Sequence, residues 1–428
     1  MNASWGLLGS ERLPNTRRTR TLGVAASVRS FNDLAVPGLG GVWYGKQVLL
    51  ATLGVAVAER ARRNGAKVQN IEVANAIEAL ACRLAFESNQ WSRDARLRGI
   101  TKLQTKDDFS FRRARQRNFY VTQPMRMATV QTLPALGLVE SASARFNAFC
   151  CSPEGSSFVD RATEEFHPKN RTVLEGLALW VEGRDDRIET DALKKALSPI
   201  LPLSKIAVEI LRERLIQGGK EAFEDKKRRS RAMAWVEMLR QSKPISLSWE
   251  FRPSEISQEH WDDLQAGALF SKTRDAAIAV LDAVEAQGGT MSVGGSVLLN
   301  RTIPELLNPS FTVLKNLARQ FLDFSHADEE ANAFCRECTM DDPSRILRSL
   351  VNRDGQVLRL VGDEIKPGPA FRGSAKPMGV DEDDQEAPQQ GRLPFPEGIS
   401  NRLQNLYLLN RDLHGELEEW LSSDAGGE

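Results

Sequence analysis

Residues 136–155, LGLVESASARFNAFCCSPEG, decide whether this chain is purely helical or carries β structure inside a helical frame. Gly137 permits the positive φ that ends a helix. Arg145 to Cys151 alternate well enough for a strand. Ser152-Pro153 can then open a new helix, with the serine as N-cap and the proline in the first turn, where a backbone N–H is not needed. A helix stop, a strand and a helix start in close succession predict a small α+β unit.

Upstream, a helical segment runs through Met127, Val130 and Leu133 into Leu136-Gly137-Leu138-Val139-Glu140, and downstream the pattern continues through Phe158 and Val159. Over about residues 105–165 this resembles the C-terminal half of a winged-helix DNA-binding domain. In that family a recognition helix ends at a Leu-Gly-Leu-Val turn, two wing strands follow, and a Ser/Thr-Pro-x-Gly turn leads into a closing helix. The resemblance covers about 60 of 428 residues. It implies that the segment around Arg126 and Gln131 enters a DNA groove. Pro134 sits inside or near the end of that helix, and the wing tip, Ser141 to Ala144, carries no base. Arg145 follows the tip and is assigned to backbone contact.

Further out, helical signals dominate. A basic arm over residues 1–35 carries Arg12, Arg17, Arg18, Arg20 and Arg29. After Pro37-Gly38-Leu39-Gly40-Gly41, which lacks the Gly-Lys-Ser/Thr ending of a phosphate loop, a helix is expected from about Val42 to Arg63, stopped by Asn64-Gly65. A second follows from about Glu72 to Glu87, with Ile71, Ala74, Ile77, Ala81 and Leu84 on one face. Residues 170–245 read as three helices, the last from about Lys220 to Arg240. In the acidic part, helices are expected at about 275–285, 311–324 and 343–350, with Gln287-Gly288-Gly289 as a turn, Arg353 to Gln356 as a reverse turn and Val357 to Val361 as a strand. Residues 367–398, with six prolines and an acidic run, read as an unstructured linker before a leucine-striped helix at about 401–421. The fold class is therefore mainly α: a multidomain helical protein with a winged-helix-like α+β unit and a short C-terminal β-hairpin. Its segments are 1–100, 101–166, 167–245, 246–366, 367–398 and 399–428.

The chain of 428 residues has a formal net charge of zero, but residues 1–150 carry +12, residues 151–248 carry +2 and residues 249–428 carry −14. A basic block of this size points to a polyanion, and an acidic block to a region kept off it and turned toward protein. The longest apolar run of the N-terminal third, Val48 to Ala58, is 11 residues, short of the roughly 20 that a spanning helix needs, so no membrane partner is expected. Five cysteines and no secretory pattern at the N-terminus place the chain in the cytoplasm.

The sharpest candidate site is the basic cluster Arg112, Arg113, Arg115 and Arg117 beside Phe109, Phe111, Phe119 and Tyr120. Arginines neutralise phosphates and neighbouring aromatics stack on unpaired bases. The same pattern arises when the aromatics are core residues of a helix with an arginine-rich outer face. Lys226, Lys227, Arg228 and Arg229 pose the same choice, with Glu221, Glu224 and Asp225 close by in sequence. Together with Arg17, Arg18, Arg20, Arg126, Gln131 and Arg145, these residues form the expected nucleic-acid-binding set. Cys335-Arg336-Glu337-Cys338 with His326 has knuckle spacing but only three ligands, so no metal or other cofactor is assigned. Asp323, Asp328, Glu329 and Glu330 with His326 are the one group suited to a divalent cation; Ser325 is expected to cap the helix that carries Asp328 and Glu329. His260 is read as a surface residue. No catalytic residue is assigned. The expectation is a non-catalytic DNA-binding subunit of a DNA-handling or antiviral defence complex, with protein partners held by the acidic region and the C-terminal helix. The alternatives are an assembly subunit that binds protein only, and a divergent metal-dependent nuclease.

Overall fold

The computed structural model describes residues 20–185, 188–242, 247–290, 297–298, 307–371 and 393–425. In chain order the elements are α1 (Ala25–Ala35), α2 (Gly45–Arg63), α3 (Asn70–Ser88), α4 (Ile100–Gln104), α5 (Phe111–Ala114), α6 (Arg126–Thr129) and α7 (Thr132–Ala135). Next come β1 (Val139–Ser141), β2 (Phe149–Cys151), α8 (Pro153–Thr163), α9 (Val173–Val181), α10 (Asp191–Leu197), α11 (Lys205–Gln217), α12 (Phe223–Gln241) and α13 (Gln258–Thr290). Then follow β3 (Val297–Leu298), α14 (Asn308–Asp323), α15 (Glu329–Cys338), α16 (Pro343–Asp354), β4 (Leu358–Val361), β5 (Glu364–Pro367), α17 (Asn401–Leu413) and α18 (Leu417–Ala425). The molecule is mainly helical, with two small antiparallel sheets.

The chain divides into two compact units, one built from residues 30–265 with the C-terminal segment, the other from the N-terminal 29 residues with 266–378. The first is organised on the α2–α3 hairpin. Helix α2 is buried from Gly45 to Ala58 because the apolar run faces protein all round. Its crossing with α3 is close: a Cβ at Gly54 would lie 2.6 Å from that of Ala74. Gly65, at φ +95°, ends the turn after α2, where the Asn-Gly pair predicts it.

The β1–β2 hairpin forms with Val139 opposite Cys151 and Ser141 opposite Phe149. Gly137 stands at φ +69°, and Ser152 caps α8 by accepting the Gly155 N–H at 2.9 Å, with Pro153 in the first turn. Strand, cap and closing helix thus follow the sequence. The expected recognition segment runs through α6 and α7, with Val130 and Gln131 between them also at right-handed helical angles; its hydrogen-bond ladder is interrupted there, and Thr129, Thr132 and Leu133 are buried. They are held by the glycine stretch, where Gly41 N–H donates to the Ala128 carbonyl at 3.0 Å and Thr132 Oγ1 donates to that of Leu39 at 2.6 Å. A Cβ at Gly40, already at φ +61°, would collide with the Ala128 carbonyl oxygen. Pro37 to Gly41 is a packing joint.

The C-terminal stripe is buried in this same unit. Leu403, Leu406, Leu409, Leu413 and Leu417 belong to its core, and α17 packs on α12 and α2. The expected single helix breaks at His414-Gly415, with Gly415 at φ +74°. This leucine face is therefore not left over for a partner. The linker edges are also ordered: Pro367 ends β5 and Phe395 packs edge-on against Trp235 and Tyr407. Residues 372–392 lie outside the described residues.

In the second unit, Phe270 meets Phe321 and Phe334 at 5.5 and 6.0 Å between ring centres. The β4–β5 hairpin pairs Leu360 with Ile365, and β3 adds to β5. Helix α13 overruns the expected stop at Gln287-Gly288-Gly289, and α16 continues through Asp354 to a left-handed Gly355.

Candidate nucleic-acid interface

The sequence-predicted bases separate into those left exposed and those consumed inside the chain. Three groups come together around the first two turns of α3. Arg115, at the end of α5, donates to both carboxylate oxygens of Glu72 at 2.7 and 2.6 Å and lies over the Phe111 ring. One turn on, Arg126 donates from Nε to Asn75 and lies 5.5 Å from the centre of the Phe146 ring. From the hairpin, Asn147 accepts the Ile71 N–H at 2.9 Å and donates to the Gln69 side chain at 3.1 Å. Arg145 is exposed two residues before it.

Within this neighbourhood Arg112, Arg113, Arg117 and Arg145 are exposed. Arg113 has Asp108 at 3.6 Å, a pair open to solvent on both sides and worth little. No carboxylate among the described residues pairs with the side chains of Arg112, Arg117 or Arg145. Residues 100–131 hold seven bases against two acids, so the local field is positive.

A buried carboxylate positions this strip. Glu78, on α3, accepts the backbone N–H of Met125 at 2.7 Å and of Arg126 at 3.1 Å. Burial raises its pKa, opposed by those N–H groups, by Arg98 and by a hydrogen bond from Tyr120. Burial likewise pulls Arg126 below its ordinary pKa, with Glu78 acting the other way. Sequence reasoning missed Glu72, Asn75, Glu78 and Asn147. Only Glu78 left a signal, as an acid inside the apolar face that runs from Ala74 to Leu84.

The aromatics beside the arginines are core. Phe109, Phe111, Phe119 and Tyr120 are buried; Phe109 packs edge-on against Phe119 and Phe111 against Trp180. The aromatics are core, as the second reading has it, but Phe109, Phe119 and Tyr120 flank the four-residue α5 rather than lining one helix.

Other members of the expected set lie elsewhere or are used up. Arg17 and Arg18 lie outside the described residues. Arg20 is buried in the second unit, paired with Asp282, with Glu285 at 2.9 Å and with Asp354 at 3.3 Å. It is an internal anchor to the acidic block, with no face left for a phosphate. Arg229 has zero exposure: it grips Glu221 through two bonds of 2.6 Å and donates to the carbonyls of Leu215 at 2.7 Å and Pro37 at 2.9 Å. Four of its five donors are spent inside the chain and it has no exposed surface, so it leaves the set too. Arg228 pairs with Asp263 at 2.5 Å and Glu259 at 2.9 Å. Lys227 has Glu224 at 3.5 Å, and Lys226 is half-buried on the same helix. Gln131 is exposed, but its side-chain oxygen accepts from Arg402 at 2.6 Å.

The remaining candidates are structural. Asp328, not Ser325, caps α15, accepting the Ala331 N–H at 2.9 Å, and His326 Nδ1 accepts the Asp328 N–H at 3.1 Å. Burial pushes the Cys335 thiol up to about 12 and Cys338 higher still. Among the described residues no group of three or more His, Cys, Asp or Glu is placed to hold a metal. His260 is fully buried rather than at the surface, with Nε2 2.9 Å from the Ala35 carbonyl oxygen, and burial lowers its pKa. Among the described residues no helix is long and apolar enough to cross a membrane. No family model, curated protein or solved structure matches this chain.

Proposed function

We propose that this chain is a non-catalytic, nucleic-acid-binding subunit, with duplex DNA as its ligand, in a DNA-handling or antiviral defence assembly. The observation that supports the reading is that Arg112, Arg117 and Arg145 are exposed, without carboxylate partners among the described residues, and lie on the chain segments that meet the start of α3 through Arg115, Arg126 and Asn147. Three separate chain segments bring bases to the neighbourhood of the start of α3, and in this reading they neutralise neighbouring phosphates and release their counterions. The acidic excess of residues 249–428 supplies the region turned toward protein partners.

The test is binding of labelled DNA by the full-length chain at 50 mM salt, compared with the variant R112A/R117A/R145A. A loss of tenfold or more in the variant, with an unchanged circular dichroism spectrum, supports the reading. Equal binding by both proteins refutes this placement of the interface. A second reading, an assembly subunit that binds protein only, draws on Arg20, Arg228 and Arg229, whose acid partners are in the same chain; absence of DNA binding at low salt selects it.

A further inference from the structure

We infer that the interface reads base sequence through the turn Gln116-Arg117-Asn118, which offers a guanidinium fork between two amides to the major groove of duplex DNA. This deepens the proposed function and rests on it. The turn is closed by its own backbone: the Phe119 N–H donates to the Gln116 carbonyl at 3.0 Å, with Arg117 and Asn118 at the two central positions. Such a turn is less than about 7 Å across at its base, whereas the major groove of B-DNA is about 12 Å wide and admits a helix or a two-stranded ribbon. Arg117 and Asn118 both keep negative φ, so the turn tolerates substitution at either.

The turn has a packed base. Phe111 precedes it and Phe119 and Tyr120 follow it, all three buried. Phe119 packs edge-on against Phe109 at 5.1 Å between ring centres, Phe111 packs against Trp180, and the Tyr120 hydroxyl lies 3.3 Å from Cys82 Sγ. The three side chains therefore start from one fixed place, and binding costs little backbone ordering.

Gln116, Arg117 and Asn118 are all exposed, and among the described residues none of their side chains is committed to a hydrogen bond or an ion pair. In the segment through α6 and α7, by contrast, Arg126 is engaged by Asn75 and Gln131 by Arg402. In the major groove an arginine fork takes O6 and N7 of guanine, and Gln or Asn takes N6 and N7 of adenine. A free arginine between two free amides therefore selects a guanine with an adenine beside it. Arg112 and Arg145 have no amide next to them in the chain and serve backbone phosphates, which set the register.

The experiment is selection by the full-length chain, at 50 mM salt, from a pool of 30-base-pair duplexes with ten random central positions. Fluorescence anisotropy then compares the enriched duplex with a scrambled one. Expected is a site with guanine next to adenine, bound about tenfold more tightly than the scrambled duplex, the scale of one bidentate base contact. Replacing that guanine by 7-deazaguanine, which lacks the N7 acceptor, should remove most of the preference. In R117K, which keeps the charge and loses the fork, the preference should fall to within about threefold; in Q116A/N118A it should fall at the adenine position. R145A should weaken both duplexes alike, as loss of a phosphate contact does. A pool with no enriched site, a site without guanine, or a preference unchanged in either turn variant overturns the inference and leaves nucleic-acid binding standing. No binding of the starting pool at 50 mM salt overturns the proposed function itself.

Discussion

Replacing Arg229 tests whether its role is internal. The guanidinium makes four bonds of 2.6 to 2.9 Å, two to Glu221 and one each to the carbonyls of Leu215 and Pro37, and it has no exposed surface. Gly38 and Gly218 close over the pair: a Cβ at Gly38 would lie 2.7 Å from Glu221 Oε1 and 3.0 Å from Arg229 Nη1. Removing the cation strands a carboxylate whose side chain is 13 % exposed, together with two carbonyls, and breaking a buried pair in this way costs about 3–5 kcal/mol. Arg229→Lys keeps the charge but loses the planar fork that serves four acceptors, so it should still cost roughly 2 kcal/mol, the scale of a lost charged hydrogen bond. Urea unfolding followed by tryptophan emission reads the relevant unit, since all described tryptophans lie in it. A cost under about 1 kcal/mol for Arg229→Ala would show that the pair does not hold the α11–α12 turn to the glycine joint. The DNA affinity of folded Arg229→Lys should equal that of the parent; a loss there would return Arg229 to the interface.

Burial brings Lys46 down to about 8, against Asp412 acting upward, so its proton leaves the folded chain first. Below pH 8 both states hold that proton, and between pH 8 and 10.5 only the unfolded chain keeps it, so stability rises with pH across this window by up to about 3 kcal/mol. The stability difference between Lys46→Met and the parent should shrink over the same range; a difference independent of pH refutes the assignment. Gly155→Ala would put a Cβ into the Leu138 carbonyl oxygen and 2.9 Å from its carbon, prising α8 from the hairpin at a cost of about 2 kcal/mol or more in a urea titration. Glu78→Ala removes the two acceptor oxygens that serve the Met125 and Arg126 N–H groups and should cost about 2–3 kcal/mol, and Glu78→Gln, which keeps one acceptor and turns an NH2 toward the other N–H, should recover at most about half of it; full recovery would mean that only one of the two bonds matters. A disulfide reagent such as DTNB should label Cys150 at once in the native protein, while Cys335 and Cys338 react only on unfolding. Immediate labelling of more than two of the five thiols contradicts the burial.

Local chemistry was legible wherever one residue's conformation decides an outcome. Asn64-Gly65 stops α2, Gly137 ends α7's turn, and Ser152-Pro153 starts α8, each from features within four residues. The leucine spacing of α17 gave the helix, but only tertiary contacts settle what covers it. Two errors share a cause. Gly288-Gly289 reads as a stop because each glycine costs about 1 kcal/mol in a helix, yet α13 absorbs both. The segment through Met127, Val130 and Leu133 reads as one regular helix, and it keeps helical angles through Val130 and Gln131, yet its ladder is interrupted where the Ala128 carbonyl accepts the Gly41 N–H instead. Neither the extra helical length nor the glycine joint has a signature inside the segment concerned.

The charge pattern illustrates the same limit for the site. Net charge by segment pointed to residues 1–150, and exposed uncompensated bases are found there, but membership of the block did not decide which arginines stay free. Arg20, inside the block, is consumed by Asp282, Glu285 and Asp354, and outside it Arg228 and Arg229 sit on the 19-residue α12, where α11 brings the Leu215 carbonyl and α13 brings Glu259 and Asp263 to meet them. Arg112, Arg117 and Arg145 sit on a four-residue turn, the loop after it and a hairpin tip, where each side chain has solvent on most sides and no packed neighbour to supply an acid. What decides is whether another element packs against the side chain, not the length of its own element: Arg20 precedes α1 and Arg115 ends the four-residue α5, yet both are paired with acids. Grafting Arg229 and Glu221 together onto hydrophobic residues of similar volume should thus be near neutral for stability and silent for DNA binding. Removing the three surface arginines should have the opposite signature, silent for stability and decisive for binding.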